Sequence, residues 1–341
     1  MKPASWPRDD ALDERLLHID PRAGTLQDGR VRDLARWLRA GDLCVVNDAA
    51  TLPASLAGAG PSGAPLEVRL VGARAEGRFG AVLFGAGDWR TPTEKRPPPE
   101  VVAPGETIVL GGGALRATVE RLSPISPRLV DLRFDREGAA LWSALYRHGR
   151  PVQYAYLRAP LALWAVQTAY AARPWAVEAP SAGRPLRWSL LLELARRGVR
   201  LAAVTHAAGL SSTGDAALDA ALPLPERYDL PAATVEAVAA ARAAGGRVLA
   251  VGTTVVRALE GCAAAHGGGL VPGAGETDLV IGPGFRPRVV TGVLTGMHEP
   301  GQSHHALLHA FAAPDLLARA HAHAEAAGYL CHEFGDSALV L

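Results

Sequence analysis

The stretch Arg247-Val248-Leu249-Ala250-Val251-Gly252-Thr253-Thr254-Val255-Val256-Arg257-Ala258-Leu259-Glu260 reads as a buried strand, a glycine turn and an amphipathic helix in immediate succession. Four consecutive apolar residues, Val248 to Val251, suit a strand covered on both faces better than one with a wet side. Gly252 gives the backbone freedom to turn sharply and to approach a ligand closely. Thr253 or Thr254 is expected to cap the helix. The free N–H groups at such a helix start favour a carboxylate or phosphate, through donor geometry and dipole together.

Working outward, the same texture recurs after Tyr154. A helix is expected over Leu186 to Arg197, a strand over Val199 to Thr205 and a helix over Pro231 to Ala244, with Pro231 and Gly245-Gly246 as its boundary signals. Strands are expected at Leu279 to Ile281 and Val289 to Leu294, and a late helix at Pro314 to Ala327. The chain's opening is also α/β in character, with Leu16 to Asp20 and Leu43 to Asn47 flanking a helical pattern from Val31 to Arg39. Between these regions the texture changes. Short runs such as Leu66 to Val71, Phe79 to Phe84, Thr107 to Leu110 and Leu129 to Phe134 are separated by Gly and Pro, which suggests a small antiparallel barrel or sandwich. Pro97-Pro98-Pro99 belongs in a loop or at an edge. The expected architecture is an α/β main domain, a mixed sheet with helices, built from residues 1–50 and 153–341 and interrupted by a small β-barrel domain at 51–152.

Composition sets bounds on function. With 49% hydrophobic and 20% charged residues, the 341-residue chain is an ordinary globular protein with a large core. A net charge of +1 gives no global attraction to polyanions. Cys44, Cys262 and Cys331 are too few and too widely spaced for a disulfide framework or a CxxC site. No apolar leader and no membrane-length apolar run is present, so a cytoplasmic protein without membrane insertion is expected.

Several segments could carry chemistry. Gly275-Glu276-Thr277-Asp278 sets two carboxylates beside a glycine-rich loop, where they could bind ribose hydroxyls or act as acid and base; a solvated turn is the alternative. His206 ends an expected strand, and ligands gather at the carboxyl ends of strands in open α/β sheets, although a lone histidine also serves structure. His298, His304, His305 and His309 form a histidine-rich run, but with no HExxH pattern or Cys cluster no metal is expected. The arginine groups Arg30 to Arg39 and Arg184 to Arg200 could touch phosphates or simply form the wet faces of helices.

Taken in order, Gly41-Asp42-Leu43 with Asn47-Asp48, Gln167-Thr168-Ala169-Tyr170-Ala171, Pro180-Ser181-Ala182-Gly183, His206, Gly252-Thr253-Thr254 with Arg257, Gly275-Glu276-Thr277-Asp278, Pro283-Gly284-Phe285, His298 with Pro300, Ala310-Phe311 and Gly335-Asp336 resemble the S-adenosylmethionine:tRNA ribosyltransferase-isomerase family of queuosine biosynthesis. The resemblance spans nearly the whole chain and implies an α/β domain interrupted by a β-barrel. It implies transfer of the ribosyl part of S-adenosylmethionine to the aminomethyl group of a 7-deazaguanine in tRNA, with rearrangement and release of adenine and methionine. On that resemblance Gly252, Thr253, Thr254 and Arg257, with Ala182, Gly183, Gly275 and Thr277, would hold S-adenosylmethionine. Glu276 and Asp278 would bind ribose or move a proton, and His206 and His298 would be the candidate bases.

The chain also departs from the family pattern. Arg184-Pro185-Leu186 stands where Leu-His-Phe is usual, Thr295-Gly296-Met297-His298 where Thr-Asn-Phe-His is usual, and Leu222-Pro223-Leu224-Pro225-Glu226-Arg227-Tyr228 replaces a segment rich in His, Met, Ser and Tyr. These changes leave open a divergent paralogue that uses S-adenosylmethionine on a small-molecule acceptor, or a non-catalytic nucleoside- or cofactor-binding protein.

Overall fold

The computed structural model describes residues 1–341. Fifteen strands make its two principal sheets: β1 (Arg15–Asp20), β2 (Thr25–Arg30), β3 (Leu43–Asn47), β4 (Ser55–Ala59), β5 (Pro65–Ala75), β6 (Arg78–Phe84), β7 (Thr107–Leu110), β8 (Leu115–Leu122), β9 (Leu129–Phe134), β10 (Arg200–His206), β11 (Glu226–Leu230), β12 (Val248–Val251), β13 (Gly273–Thr277), β14 (Gly292–Gly296) and β15 (Ser337–Val340). The α-helices are α1 (Gly138–His148), α2 (Trp188–Arg196), α3 (Ala216–Ala221), α4 (Ala232–Ala243), α5 (Thr253–Ala265), α6 (Ser303–Leu308) and α7 (Pro314–Ala326). No helix is long and apolar enough to cross a membrane.

A nine-stranded mixed sheet has the order β13-β11-β10-β3-β12-β14-β15-β1-β2, and β8-β9-β6-β5-β4-β7 close an antiparallel barrel. In the middle of the sheet β10, β3, β12 and β14 run parallel. The barrel strands all lie between Ser55 and Phe134, within the chain's passage from β3 to β10.

The apolar run at β12 is covered on both faces. Val248 and Ala250 pack into a core with α4, α5 and α7, whereas Leu249 and Val251 join α2 on the other side. β3 divides in the same way, Leu43 and Val45 to one face and Cys44 and Val46 to the other. Alternation along a strand therefore feeds two helical layers at once. In the barrel, Leu66, Val68 and Leu70 of β5 fill the interior. Their neighbours Glu67 and Arg69 point outward and are buried as well, because this outer face is covered by other parts of the chain. There Glu67 accepts bonds from Arg69 Nε at 2.7 Å and Arg96 Nη1 at 2.6 Å.

Four local expectations are corrected. Val31–Arg36 is a 3-10 helix, closed by a Trp37 N–H to Leu34 carbonyl bond, rather than an α-helix reaching Arg39. The strand expected at Leu279 to Ile281 lies earlier, at Gly273–Thr277: Thr277 Oγ1 accepts the Leu279 N–H at 3.1 Å and turns the chain off the edge, leaving Val280 exposed. The strand expected from Val289 begins only at Gly292, since the N–H groups of Val289 and Val290 are taken by the Glu260 carboxylate. Neither threonine caps α5. Gly252 itself occupies the cap, at φ 95° and ψ 151°, a conformation open essentially to glycine.

Candidate active site

The parallel strands β3, β10, β12 and β14 end on one edge of the sheet, where Asn47, His206, the Gly252 turn and Gly296 stand. Asn47 holds His206 by its backbone: its Oδ1 accepts the His206 N–H at 2.9 Å and its Nδ2 donates to the His206 carbonyl at 3.0 Å. The same amide donates to Thr254 Oγ1 at 3.5 Å, tying β3 to the start of α5. The His206 ring is fully buried, and neither nitrogen makes a hydrogen bond. Nε2 lies 3.4 Å from Glu226 Oε2, which also pairs with Arg257 Nη1. Glu226 Oε1 accepts the Gly209 N–H at 2.7 Å, while Arg257 donates Nε to the Leu279 carbonyl at 3.1 Å and keeps Nη2 without a partner.

Burial, reinforced by the Arg257 charge, brings the His206 imidazole down to about 3, so the ring is neutral at pH 7. Burial raises the Glu226 carboxyl despite Arg257, and Glu178 adds to the rise. The cluster is thus a neutral imidazole, a carboxyl reluctant to ionise and a guanidinium with a donor to spare.

Beside it, the methyl of Ala182 packs close to Gly252, and the ring of Tyr170 closes over Gly183, where any side chain would collide with the phenol. Tyr170 Oη and Thr168 Oγ1 are buried without partners. His298 bonds Thr295 Oγ1 through Nε2 at 2.8 Å and stacks on His304 with centroids 4.9 Å apart. Burial and the neighbouring imidazoles hold His298 well below its ordinary value. Further along, Tyr154 stacks on Tyr156 and Tyr156 on His332, while Tyr154 bonds Glu178 and Tyr156 bonds Glu333.

The second candidate group lies elsewhere. Glu276 and Asp278 are exposed at edge strand β13 and its exit, and form no ion pair with His206 or Arg257. Glu276 stands opposite Arg227 in the β11 pairing. Between the two acids Thr277 turns inward against Gly261, and Gly275 lies flat on the Tyr228 ring. No group of three or more His, Cys, Asp or Glu is placed to hold a metal ion. Arg184, one of the departures from the family pattern, has a buried partner in Glu14 and lies over the Phe334 ring.

Sequence reasoning missed Glu226. A signal was there: in Glu226-Arg227-Tyr228-Asp229-Leu230 the alternate residues Tyr228 and Leu230 are buried, and Glu226 shares their face.

A parallel-centred sheet with a barrel set into one connection defines an α/β protein, and its buried imidazole, carboxyl and guanidinium stand at the strands' carboxyl ends, where such sheets commonly place their ligands. The chain belongs to the queuosine biosynthesis protein family, which matches residues 2–340. The S-adenosylmethionine:tRNA ribosyltransferase-isomerase of Acidithiobacillus ferrooxidans is 39% identical over 336 residues, covering 96% of this chain and 90% of that protein. That of Pelobacter propionicus is 34% identical, with 99% and 95% covered. The crystal structure of S-adenosylmethionine tRNA ribosyltransferase from Thermotoga maritima shares the fold at a TM-score of 0.55 and 24% identity, covering 99% of this chain and 96% of that one.

Proposed function

We propose that this chain transfers the ribosyl group of S-adenosylmethionine to the aminomethyl group of a 7-deazaguanine in tRNA, with isomerisation of the ribosyl group and release of adenine and methionine, as a cytoplasmic step of queuosine biosynthesis. The observation that carries the reading is the buried His206, neutral and free of hydrogen bonds at both nitrogens, beside Glu226 and Arg257 at the strand ends. S-adenosylmethionine supplies a sulfonium that makes C5′ electrophilic and more acidic, with methionine as leaving group.

The residues present fit that co-substrate. Arg257 Nη2 is a buried donor without a partner, and Gly252 leaves the N–H groups opening α5 without a side-chain cap. Gly252, Thr253, Thr254 and Arg257 hold the anionic end, with Ala182 and Gly183 closing the turn from the side. His206 and His298 are the candidate bases, because both are neutral near pH 7 and a base must be unprotonated to act. Glu276 and Asp278, exposed at the open edge strand, meet ribose hydroxyls, while Thr277, buried against Gly261, and Gly275, against the Tyr228 ring, hold that strand in place.

The test follows adenine and methionine from S-adenosylmethionine with and without tRNA lacking the modification. Release that requires the tRNA supports the reading; release without it points to a small-molecule acceptor or hydrolysis and sinks the tRNA assignment. His206→Gln and His298→Gln, assayed separately, distinguish the bases. The one that acts should lose about 100-fold or more in kcat with little change in binding.

A further inference from the structure

His206 closes β10 and Glu226 opens β11, two residues away from Tyr228, the residue with which His206 pairs across the two strands. Alternation along β11 sends Glu226 to the face that Tyr228 and the His206 ring share. The two side chains meet there, with Nε2 3.4 Å from Oε2. Each is held in place from elsewhere. Asn47 fixes the His206 backbone at both its N–H and its carbonyl, while Glu226 takes the Gly209 N–H on Oε1 at 2.7 Å and Arg257 of α5 on Oε2. Nδ1, the other ring nitrogen, is buried without a partner.

We propose that Glu226 is the positioning residue of the candidate base His206: its carboxylate keeps the hydrogen of the neutral imidazole on Nε2, so that Nδ1 carries the lone pair that receives the substrate's proton. The inference rests on the reaction proposed above. A neutral imidazole has one hydrogen for two nitrogens, and the partner of one nitrogen decides which of them is the base. Glu226 fills that place as an acceptor. Burial raises its carboxyl, but Arg257 has no other carboxylate partner, and neutralising Glu226 would leave a buried guanidinium uncompensated. At 3.4 Å the contact is longer than a hydrogen bond, as is common before a bound substrate tightens a site. The same carboxylate faces the positive charge that forms on the ring once Nδ1 accepts a proton. His298 lacks such a partner: its Nε2 bonds the Thr295 hydroxyl, and no carboxylate pairs with its ring. Glu226 comes from Leu222 to Tyr228, a segment in which the chain departs from the family pattern, so the dyad belongs to this chain's own divergence.

The experiment reads the tautomer directly, by long-range proton–nitrogen NMR correlation at pH 7 on protein whose histidines carry the heavy nitrogen isotope. His206 is assigned by the signals missing from His206→Gln. The wild type should show Nε2 protonated and Nδ1 bare, and the reverse arrangement overturns the proposal. In Glu226→Gln the side-chain amide can donate to Nε2, so the hydrogen should move to Nδ1. There kcat for tRNA-dependent adenine release should fall by at least about tenfold, with KM for S-adenosylmethionine within about threefold. An unchanged tautomer in the variant, or a smaller loss in kcat, gives Glu226 a merely structural role and overturns the proposal; so does a raised KM with kcat intact. If the variant does not fold, the wild-type spectrum decides alone. The dyad and the reaction fail separately. Turnover by a wild type with the hydrogen on Nδ1 removes the dyad, whereas no adenine release from S-adenosylmethionine and tRNA removes the reaction and leaves the tautomer standing.

Discussion

His206 shows how a single side chain can link function to stability. Its imidazole ionises near 6.5 in the unfolded chain and near 3 when buried, so between these values the unfolded state binds the extra proton. Folding stability therefore rises with pH through this window and is lost as the pH falls through it. At pH 5 the protonation gap costs about 2 kcal/mol relative to pH 7, taking about 1.4 kcal/mol per unit over about 1.5 units. His206→Gln should flatten this part of the profile, read from urea unfolding at pH 5 and pH 7; the same slope in both proteins would show that the ring is not held neutral. Arg184 makes a second point at this scale. It and Glu14 are both buried, so Arg184→Ala leaves a carboxylate uncompensated and should destabilise by about 3–5 kcal/mol. Arg184→Leu combined with Glu14→Gln should cost clearly less. If the double variant is no more stable than the single one, the buried pair is not what Arg184 provides.

At the scale of elements, the Gly252 turn carries the site. With φ 95° it admits a side chain only at the cost of backbone strain, although a substituted Cβ would find ordinary contacts, 3.4 Å from Thr254 Oγ1 and 3.7 Å from Ala182 Cβ. Gly252→Ala should lower stability by about 1–3 kcal/mol and weaken S-adenosylmethionine binding together, measurable by thermal shift with and without ligand. An alanine variant with unchanged affinity would detach the turn from the ligand. Strands buried on both faces, such as Leu43–Asn47 and Val248–Val251, are legible in the sequence because their apolar runs are unbroken. Gly273–Thr277 is not, since Gly-Ala-Gly-Glu-Thr has no apolar alternation and becomes a strand only by pairing at the edge with β11. Ser55–Ala59 is hidden for a similar reason: Gly58 is small because the Val109 carbonyl of β7 crosses close above it, and small residues weaken the strand signal. In the site, His206, Gly252 and Arg257 could be picked out one by one; Glu226 is marked only by sharing the face of Tyr228 and Leu230, and its partners, which come from β10 and α5, are distant in sequence. Contacts of that kind exist only once the sheet order is known.

For the whole molecule the question is whether barrel and sheet behave as two bodies or one. The barrel core does not end at the barrel: Val177, Leu210 and Leu218, which lie outside its strands, belong to the same buried cluster as Leu56, Val68 and Leu132. The charged outer face adds to this junction. Arg128 donates Nη2 to the Thr213 carbonyl at 3.0 Å, and Ser126 bonds Asp215 at 2.8 Å. Close by, the Glu67 carboxyl would be raised by its burial, but Arg69 and Arg96 overcome that and hold it below its ordinary value. With a folded value below the unfolded one, its contribution is present above the ordinary carboxylate range and lost as pH falls through the lower folded value. Glu67→Gln at neutral pH leaves two buried guanidinium groups without their shared carboxylate and should cost about 3–5 kcal/mol. Because apolar core and polar contacts both cross the junction, this loss should not free the barrel alone. Hydrogen exchange in barrel strands β5 and β6 and in sheet strand β12 should accelerate together, and calorimetry should show one transition shifted to lower temperature. Faster exchange confined to the barrel, with a separate early transition, would show that the two parts are coupled only through the chain.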